Sequence, residues 1–252
     1  MSLKKLSMGA DVEKPSTDNL GGGFALKSGL YKMVIDVAYT STSKGGATAI
    51  NIHLKSADPS VNAQLRQTLW VVSKAGKNYF MGGKNKDKKI ALPDMQTFDQ
   101  ICKICVPGTK PDELIEEEKT IKLWNPETRS ETPQEVTTLP ELKDKGIYVG
   151  VRACKENRRV PKEPGSKEYV DSNESREFSE VHRVFHTDGF STEEKHNKAE
   201  KAKFITTWKK KHTPDYVFDT FKEVKGGAIA GAPAAAAAAA AADDVDDELF
   251  DD

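Results

Sequence analysis

Cationic and aromatic residues are interleaved in one stretch of twenty residues. Single-stranded nucleic acid needs cations for its phosphates and flat rings for its bases, and a stacked base contributes roughly 1–3 kcal/mol whatever its identity. This stretch offers both. The alternative is that the rings are core and the lysines belong to a solvated hairpin, because aromatic residues in strands are usually packed. The residues are Trp70, Lys74, Lys77, Tyr79, Phe80, Lys84, Lys86, Lys88 and Lys89.

A second basic cluster follows a predicted strand, Ile147–Cys154, and precedes another, Glu177–His186. We expect the segment between them to be a long polar loop whose positive charge follows a phosphate backbone. The alternative is a disordered charged loop, diluted by Glu156, Glu163 and Glu168. The cationic residues are Arg152, Lys155, Arg158, Arg159, Lys162 and Lys167.

Catalytic and metal-binding signatures have little support. Cys102 and Cys105 form one CxxC pair, whereas a structural zinc site needs four ligands, so buried cysteines are the favoured interpretation. There is no phosphate-cradling glycine motif and no nucleophile elbow. Asp36, Asp58 and Asp94 remain a minor alternative as a metal-dependent nuclease site, but turns and polar strand faces explain them. We therefore predict no enzyme activity, no metal and no cofactor.

The charge is distributed unevenly along the chain. The formal net charge is −1, but residues 243–252 carry seven acids. Without them 32 acids face 38 lysines and arginines, which leaves about +6 on residues 1–242. An acidic segment attached to a basic body can compete with nucleic acid for the same cations. Its Leu249 and Phe250 have no use in a purely solubilising segment, so we expect a partner to bind there.

Localisation is predicted from two further features. No apolar run approaches the ~20 residues that a membrane-spanning helix needs, and the first residues lack an apolar signal core. The three cysteines are too few for a disulfide framework. A cytoplasmic protein is the expectation.

Alternating hydrophobicity predicts the main elements. Residues 29–39, 47–56 and 67–74 read as successive antiparallel strands, with Tyr31, Met33, Ile35, Val37 and Tyr39 on one face of the first. Residues 94–106 have helical spacing, and residues 127–146 read mostly as loop. Ser191 and Glu194 form a capping box before one charged helix over residues 192–212.

This order predicts a mainly β fold with added helices. Strands with a helix after the third match an oligonucleotide-binding (OB) antiparallel barrel, with a sandwich as the competitor. We expect a flexible arm (1–23), a binding domain (24–225), a Gly/Ala linker (226–242) and a disordered acidic tail (243–252).

The basic strands, the linker and the acidic tail with one aromatic together resemble the single-stranded DNA-binding proteins of bacteria and, more closely, of bacteriophages. The resemblance implies a barrel that coats single strands in replication, recombination and repair, in the cytoplasm of the host if a phage encodes it. It also implies a tail that docks on polymerase, primase-helicase or nuclease. Family tails often end on the aromatic, whereas Asp251 and Asp252 follow here. A strand-annealing protein and an interaction adaptor are the alternatives. The docking residues would be Asp246, Asp247, Glu248, Leu249 and Phe250.

Overall fold

The structure is a computed structural model. It is mainly β, with antiparallel sheets and three α-helices in the described part of the chain, so the predicted fold class is confirmed at that level. The predicted arm, linker and acidic tail lie outside the described residues, as do Lys84, Lys86 and Lys167. The described residues are 25–61, 63–83, 87–125, 128, 130–163, 166 and 168–224.

Three strands open the fold as an antiparallel meander. They are β1 (Gly29–Thr42), β2 (Thr48–Ser56) and β3 (Gln64–Val72), paired in that order. Their alternate residues are buried in one core cluster that includes Ile52 and Leu69. The alternation of apolar and polar residues therefore predicted these strands correctly.

A β-bulge in β1 changes which side chains face this core. Met33 and Ile35 are fully buried, and the register then shifts between Ile35 and Val37. Beyond the shift Ala38 is buried and Tyr39 is half-buried outside the core cluster. The expectation that Tyr39 shares a face with Met33 is wrong, because a bulge adds one residue to the alternation.

A short hairpin separates the meander from the first helix. Strands β4 (Tyr79–Gly82) and β5 (Lys88–Ala91) pair only with each other among the described strands. Helix α1 (Pro93–Cys105) follows, with proline in its first turn. The helix predicted after the third strand of the sheet is present. It buries five side chains on one stripe: Phe98, Ile101, Cys102, Ile104 and Cys105.

The middle of the chain is a second hairpin, so the loop predicted there is wrong. Strands β6 (Glu117–Asn125) and β7 (Ser130–Thr138) pair along their whole length, and β7 joins β1 where Thr138 faces Tyr39. Proline cannot donate a backbone hydrogen bond, and Pro133 fits in β7 because β7 is paired with β6 alone at this position. Cross-strand pairing compensates for the charged composition that suggested a loop.

Most of the predicted basic loop belongs to the last two long strands. Strand β8 (Gly146–Pro161) pairs with β1 through residues 146–151, and β9 (Tyr169–Phe185) pairs with β8 as far as its tip. The expectation of an irregular segment from residue 155 to 176 is therefore wrong for its greater part. Alternating charges formed strand here because opposite charges face each other across the ladder.

No backbone pairing joins β3 to β9 within the described residues, so the sheet does not close into a complete ladder. One side chain spans the gap instead: the Val181 backbone N–H donates to Gln67 Oε1 at 2.9 Å. The core lies between the sheet and α1, and it also includes Leu142 and Val149.

The predicted single charged helix is two helices, α2 (Thr192–His196) and α3 (Phe204–Lys211). The chain leaves the helical conformation at Lys198, where φ is +50°. The predicted capping box at Ser191 and Glu194 is present. The same Glu194 carboxylate accepts hydrogen bonds from the backbone N–H groups of Lys203 and Phe204. It therefore also caps the backbone N–H groups at the start of α3.

Helix α3 packs on the outside of β8 and β9 through Trp208. Its indole lies so close to Gly150 that a Cβ added there would be 2.8 Å from the ring. The indole Nε1 donates to His182 Nδ1 at 3.0 Å, and His212 stacks on the same ring at 4.3 Å between centroids. Strand β10 (Val217–Asp219) then pairs in parallel with β8. The prediction of a wholly antiparallel sheet is therefore wrong at this strand.

No helix in the described part of the chain is long and apolar enough to cross a membrane.

Candidate nucleic-acid interface

The first predicted cluster lies largely on the β4–β5 hairpin. Tyr79 and Phe80 are on β4, and Lys88 and Lys89 are exposed on β5. The Lys89 ammonium lies 4.7 Å from the centre of the Tyr79 ring. Among the described residues, no ion pair involves Lys77, Lys88 or Lys89. The hairpin therefore presents rings and positive charge together.

Phe80 is exposed, not core. It faces Ile90 across the hairpin, and their side chains are 44% and 37% exposed. Both lean over Gly82, where an added Cβ would lie 2.4 Å from Ile90 Cδ1 and 3.2 Å from Phe80 Cε2. Glycine is thus needed at position 82 for close approach. We call this pair the Phe80–Ile90 platform.

Trp70 lies apart from the platform, near the end of β3. It is half-buried, and its backbone N–H donates to Asp94 Oδ2 at 2.8 Å. Burial raises the pKa of Asp94 above its usual value, and the Trp70 hydrogen bond opposes this. Lys74 and Lys77 are exposed in the turn that joins β3 to the hairpin.

The second cluster is ordered along β8, and most of its cations face acids. Arg152 pairs with Glu180 across the ladder, with Nε 2.7 Å from Oε1. Arg158 lies 3.0 Å from Glu174, and Arg159 also has a partner. At the tip of the ribbon Lys162 pairs with Glu168 at 2.8 Å, and Lys155 lies 3.8 Å from Asp219.

The segment after α3 also covers part of this cluster. The Arg152 guanidinium lies 3.9 Å from the Phe218 ring centre, and Lys155 lies 5.5 Å from that of Phe221. Asn157 holds the segment by bonding both the N–H and the C=O of Lys222. A phosphate that approaches β8 must therefore displace carboxylates and rings.

The outer face of the meander carries polar residues that the sequence reasoning did not select. Cross-strand register places Tyr39, Asn51 and Thr68 in one row, and Asn51 bonds Ser41 at 2.7 Å and Thr68 at 2.8 Å. Arg66 occupies the adjacent row. The available signal was the period of two in β3, where Arg66, Thr68 and Trp70 alternate with Leu65, Leu69 and Val71.

His53 lies beside Arg66 on this face and in edge-to-face contact with Tyr39, with 5.6 Å between ring centres. Burial lowers the pKa of His53, and the neighbouring Arg66 guanidinium lowers it further. Arg66 therefore supplies a fixed positive charge beside His53 on this face at neutral pH.

The β6–β7 hairpin reaches the same face. Glu131 on β7 lies 3.7 Å from the Arg66 guanidinium, and it stands opposite Trp124 across the hairpin. Trp124 is 47% exposed. Trp124 is therefore a further large ring near the outer face, although the sequence reasoning assigned it no role.

Side chains that could bind a metal ion are scattered over the described part of the chain. No group of three His, Cys, Asp or Glu side chains there is arranged to hold a metal ion. Cys102 and Cys105 are buried, and desolvation raises the pKa of each thiol to about 12. Both thiols therefore stay protonated and unreactive.

Comparison with known proteins gives no relative: no family model matches the chain, and no curated protein matches its sequence.

Proposed function

We propose that this chain is a sequence-tolerant single-stranded DNA-binding protein that coats and protects single strands during replication, recombination and repair. It acts without catalysis, through rings that stack on bases and cations that neutralise phosphates. The acidic segment recruits replication proteins, with residues 246–250 as the docking tip.

One observation carries the proposal: Phe80 and Trp124 are large exposed rings on two hairpins that flank the β1–β3 meander. The β4–β5 hairpin is joined to the end of β3, and the β6–β7 hairpin is ion-paired to Arg66 within it. Exposed aromatic residues beside lysine and arginine fit a ligand with flat bases and phosphates better than an apolar partner.

The strand connections support an OB barrel as the scaffold. The meander β1–β3 is followed by α1, β8 returns to pair with β1, and β9 pairs with β8. In an OB barrel the fifth strand then lies beside the third. The hydrogen bond from Val181 to Gln67 fits a barrel completed at that seam by a side chain.

The β8–β9 ribbon has a secondary role in this proposal. Arg152, Lys155, Arg158 and Lys162 are each paired with a carboxylate, and aromatic rings also cover Arg152 and Lys155, so a phosphate must displace these partners before it binds. We therefore assign the main phosphate contacts to Lys88 and Lys89 of the β4–β5 hairpin, and a further contact to Arg66 once a phosphate displaces its exposed partner Glu131.

A fluorescence titration tests the function. A labelled oligonucleotide is presented as single-stranded DNA, as RNA of the same sequence and as duplex DNA, each at two salt concentrations. We expect tight binding of the single-stranded DNA that weakens steeply with salt, and weaker binding of the duplex. Equal affinity for single strand and duplex, or no salt-sensitive binding, contradicts the proposal.

A further inference from the structure

A groove of about 470 Å³ runs between the β4–β5 hairpin and α1. The Phe80–Ile90 platform is on the other face of the hairpin, because successive strand residues point to opposite sides. Tyr79 and Lys89 form one wall of the groove, and Ala91 and Met95 lie between the walls. Its size is in the range of sites that hold a small ligand.

The second wall is a polar stripe of α1. Gln96, Gln100 and Lys103 recur at spacings of four and three residues, so they lie on one helix face. The Gln96 side-chain amide is used, since Nε2 donates to the Ala91 carbonyl at 2.8 Å and fixes the helix to the hairpin. The side-chain amide of Gln100 has no hydrogen-bond partner among the described residues. Its amide is thus available to a ligand.

The charge of the groove suits an anion with a polar ring. Lys89 and Lys103 outnumber Asp99, the one carboxylate among the lining residues. Asp99 pairs with Lys103 at 2.5 Å across one helical turn, with the lysine side chain 59% exposed. Such exposed pairs contribute little to stability, so a phosphate can take the place of Asp99.

A flat ring, an amide and two ammonium groups are what recognition of one nucleotide requires: stacking for the base, a donor and acceptor for its edge, and cations for the phosphate. We propose that this groove binds one unpaired nucleotide of the DNA strand. The base stacks on Tyr79 in place of the Lys89 ammonium, which moves to the phosphate, and Gln100 bonds the base edge. Lys103 contacts the phosphate on the helix side.

This inference rests on the proposed function and extends it to a second side of the hairpin. A strand that contacts both faces of the hairpin must wrap its edge. The platform and the groove then hold different nucleotides of one strand.

Photo-cross-linking tests the groove. The full chain is mixed with an oligothymidine in which every thymine is replaced by 5-iodouracil, and the mixture is irradiated. The cross-linked peptides are then identified by mass spectrometry. We expect a cross-link at Tyr79. Cross-links confined to Trp70, Phe80 or Trp124 overturn the groove and leave single-strand binding intact. Failure of the chain to retain the oligonucleotide overturns both.

Two variants supply an independent reading. We expect Lys103→Gln to weaken binding of the oligothymidine about twofold to fivefold, the size of one exposed ionic contact, and Gln100→Leu to reduce the Tyr79 cross-link. Lys110→Gln is the matched control, since Lys110 is also exposed and paired within its own segment, with Glu113 at 3.3 Å. Equal losses for Lys103→Gln and Lys110→Gln contradict the groove. Melting temperatures establish that each variant is folded.

Discussion

Phe80 and Met81 are neighbours with nearly equal exposure, 44% and 43%, yet they lie on opposite faces of the β4–β5 hairpin. At the scale of single residues the function depends on such differences. Sequence alone selected both lysine-rich clusters, but it could not show that the cations of β8 are paired. The acids of Arg152 and Arg158 come from β9, 28 and 16 positions away. Arg66 and Trp124 were missed because their positions read as ordinary polar or strand residues.

The Phe80–Ile90 platform predicts a selective loss of affinity. Phe80→Ala removes a stacking ring and should weaken binding of single-stranded DNA by about 1–3 kcal/mol. Met81→Ala removes a side chain of similar exposure from the other face and should have a smaller effect. Titration of a labelled oligonucleotide with each variant measures this difference. Equal losses would show that the platform does not contact bases.

Glu131 predicts a gain of affinity, because its carboxylate stands against Arg66 where a phosphate would bind. Glu131→Gln should tighten binding of single-stranded DNA by up to about fivefold, since an exposed ion pair contributes at most about 1 kcal/mol. Glu135→Gln removes the same charge from an exposed position of the same strand and serves as the control. If both variants gain the same affinity, the cause is general repulsion between the carboxylates and DNA, and a phosphate does not bind specifically at Arg66. In an Arg66→Gln background the extra gain should vanish.

At the scale of elements, the meander and α1 were predictable because their apolar periods are regular. The same holds for residues 147–154 of β8 and 177–185 of β9. Strand β7 and the outer part of the β8–β9 ribbon were not predictable, since they carry mostly polar and charged residues without an apolar period, and only pairing reveals them. The break between α2 and α3 was hidden too, because residues 197–203 are charged and alanine-containing like a helix. The local turn at Lys198 and the dual use of Glu194 ended the helix there.

The docking of α3 predicts a pH dependence of stability. Burial and nearby cations lower the pKa of His182 to about 4, and its neutral Nδ1 accepts from Trp208. The folded pKa is below the unfolded value of about 6.5. This stabilisation is therefore complete above pH 6.5 and is lost as the pH falls toward 4. Urea unfolding at pH 7, 5.5 and 4.5 should show the free energy of unfolding decreasing.

A non-titrating acceptor isolates His182 in that experiment. His182→Asn keeps an oxygen for the indole and removes the titration, so the decrease between pH 7 and 4.5 should become smaller. His196→Asn changes an exposed histidine of α2 and should leave the decrease as it is. An unchanged pH profile in His182→Asn would mean that other groups cause the loss of stability.

At the scale of the whole molecule, the proposed function depends on a charge difference between two parts of the chain. Residues 1–242 carry about +6 and residues 243–252 carry seven acids, so the acidic segment is a tethered polyanion. Composition alone revealed this difference. The segment should compete with DNA phosphates for the same cations, and both interactions should weaken in salt.

Removal of residues 243–252 should therefore tighten binding of single-stranded DNA at low salt, with a gain that shrinks as salt rises. Replacing the seven acids by Asn and Gln should reproduce the gain. Leu249→Ala with Phe250→Ala keeps the charge and should leave DNA affinity unchanged while it weakens partner binding. Equal low-salt affinity of the full and the shortened chain would contradict the competition.

The most direct test of base stacking is the intrinsic tryptophan fluorescence of the full chain, titrated with oligothymidine and with a duplex of equal length. Stacking of bases near Trp124 and Trp70 should quench the emission with single strands, saturably, and added salt should restore it. The duplex should quench little. No quenching by single strands, or equal quenching by the duplex, would contradict single-strand binding through these rings.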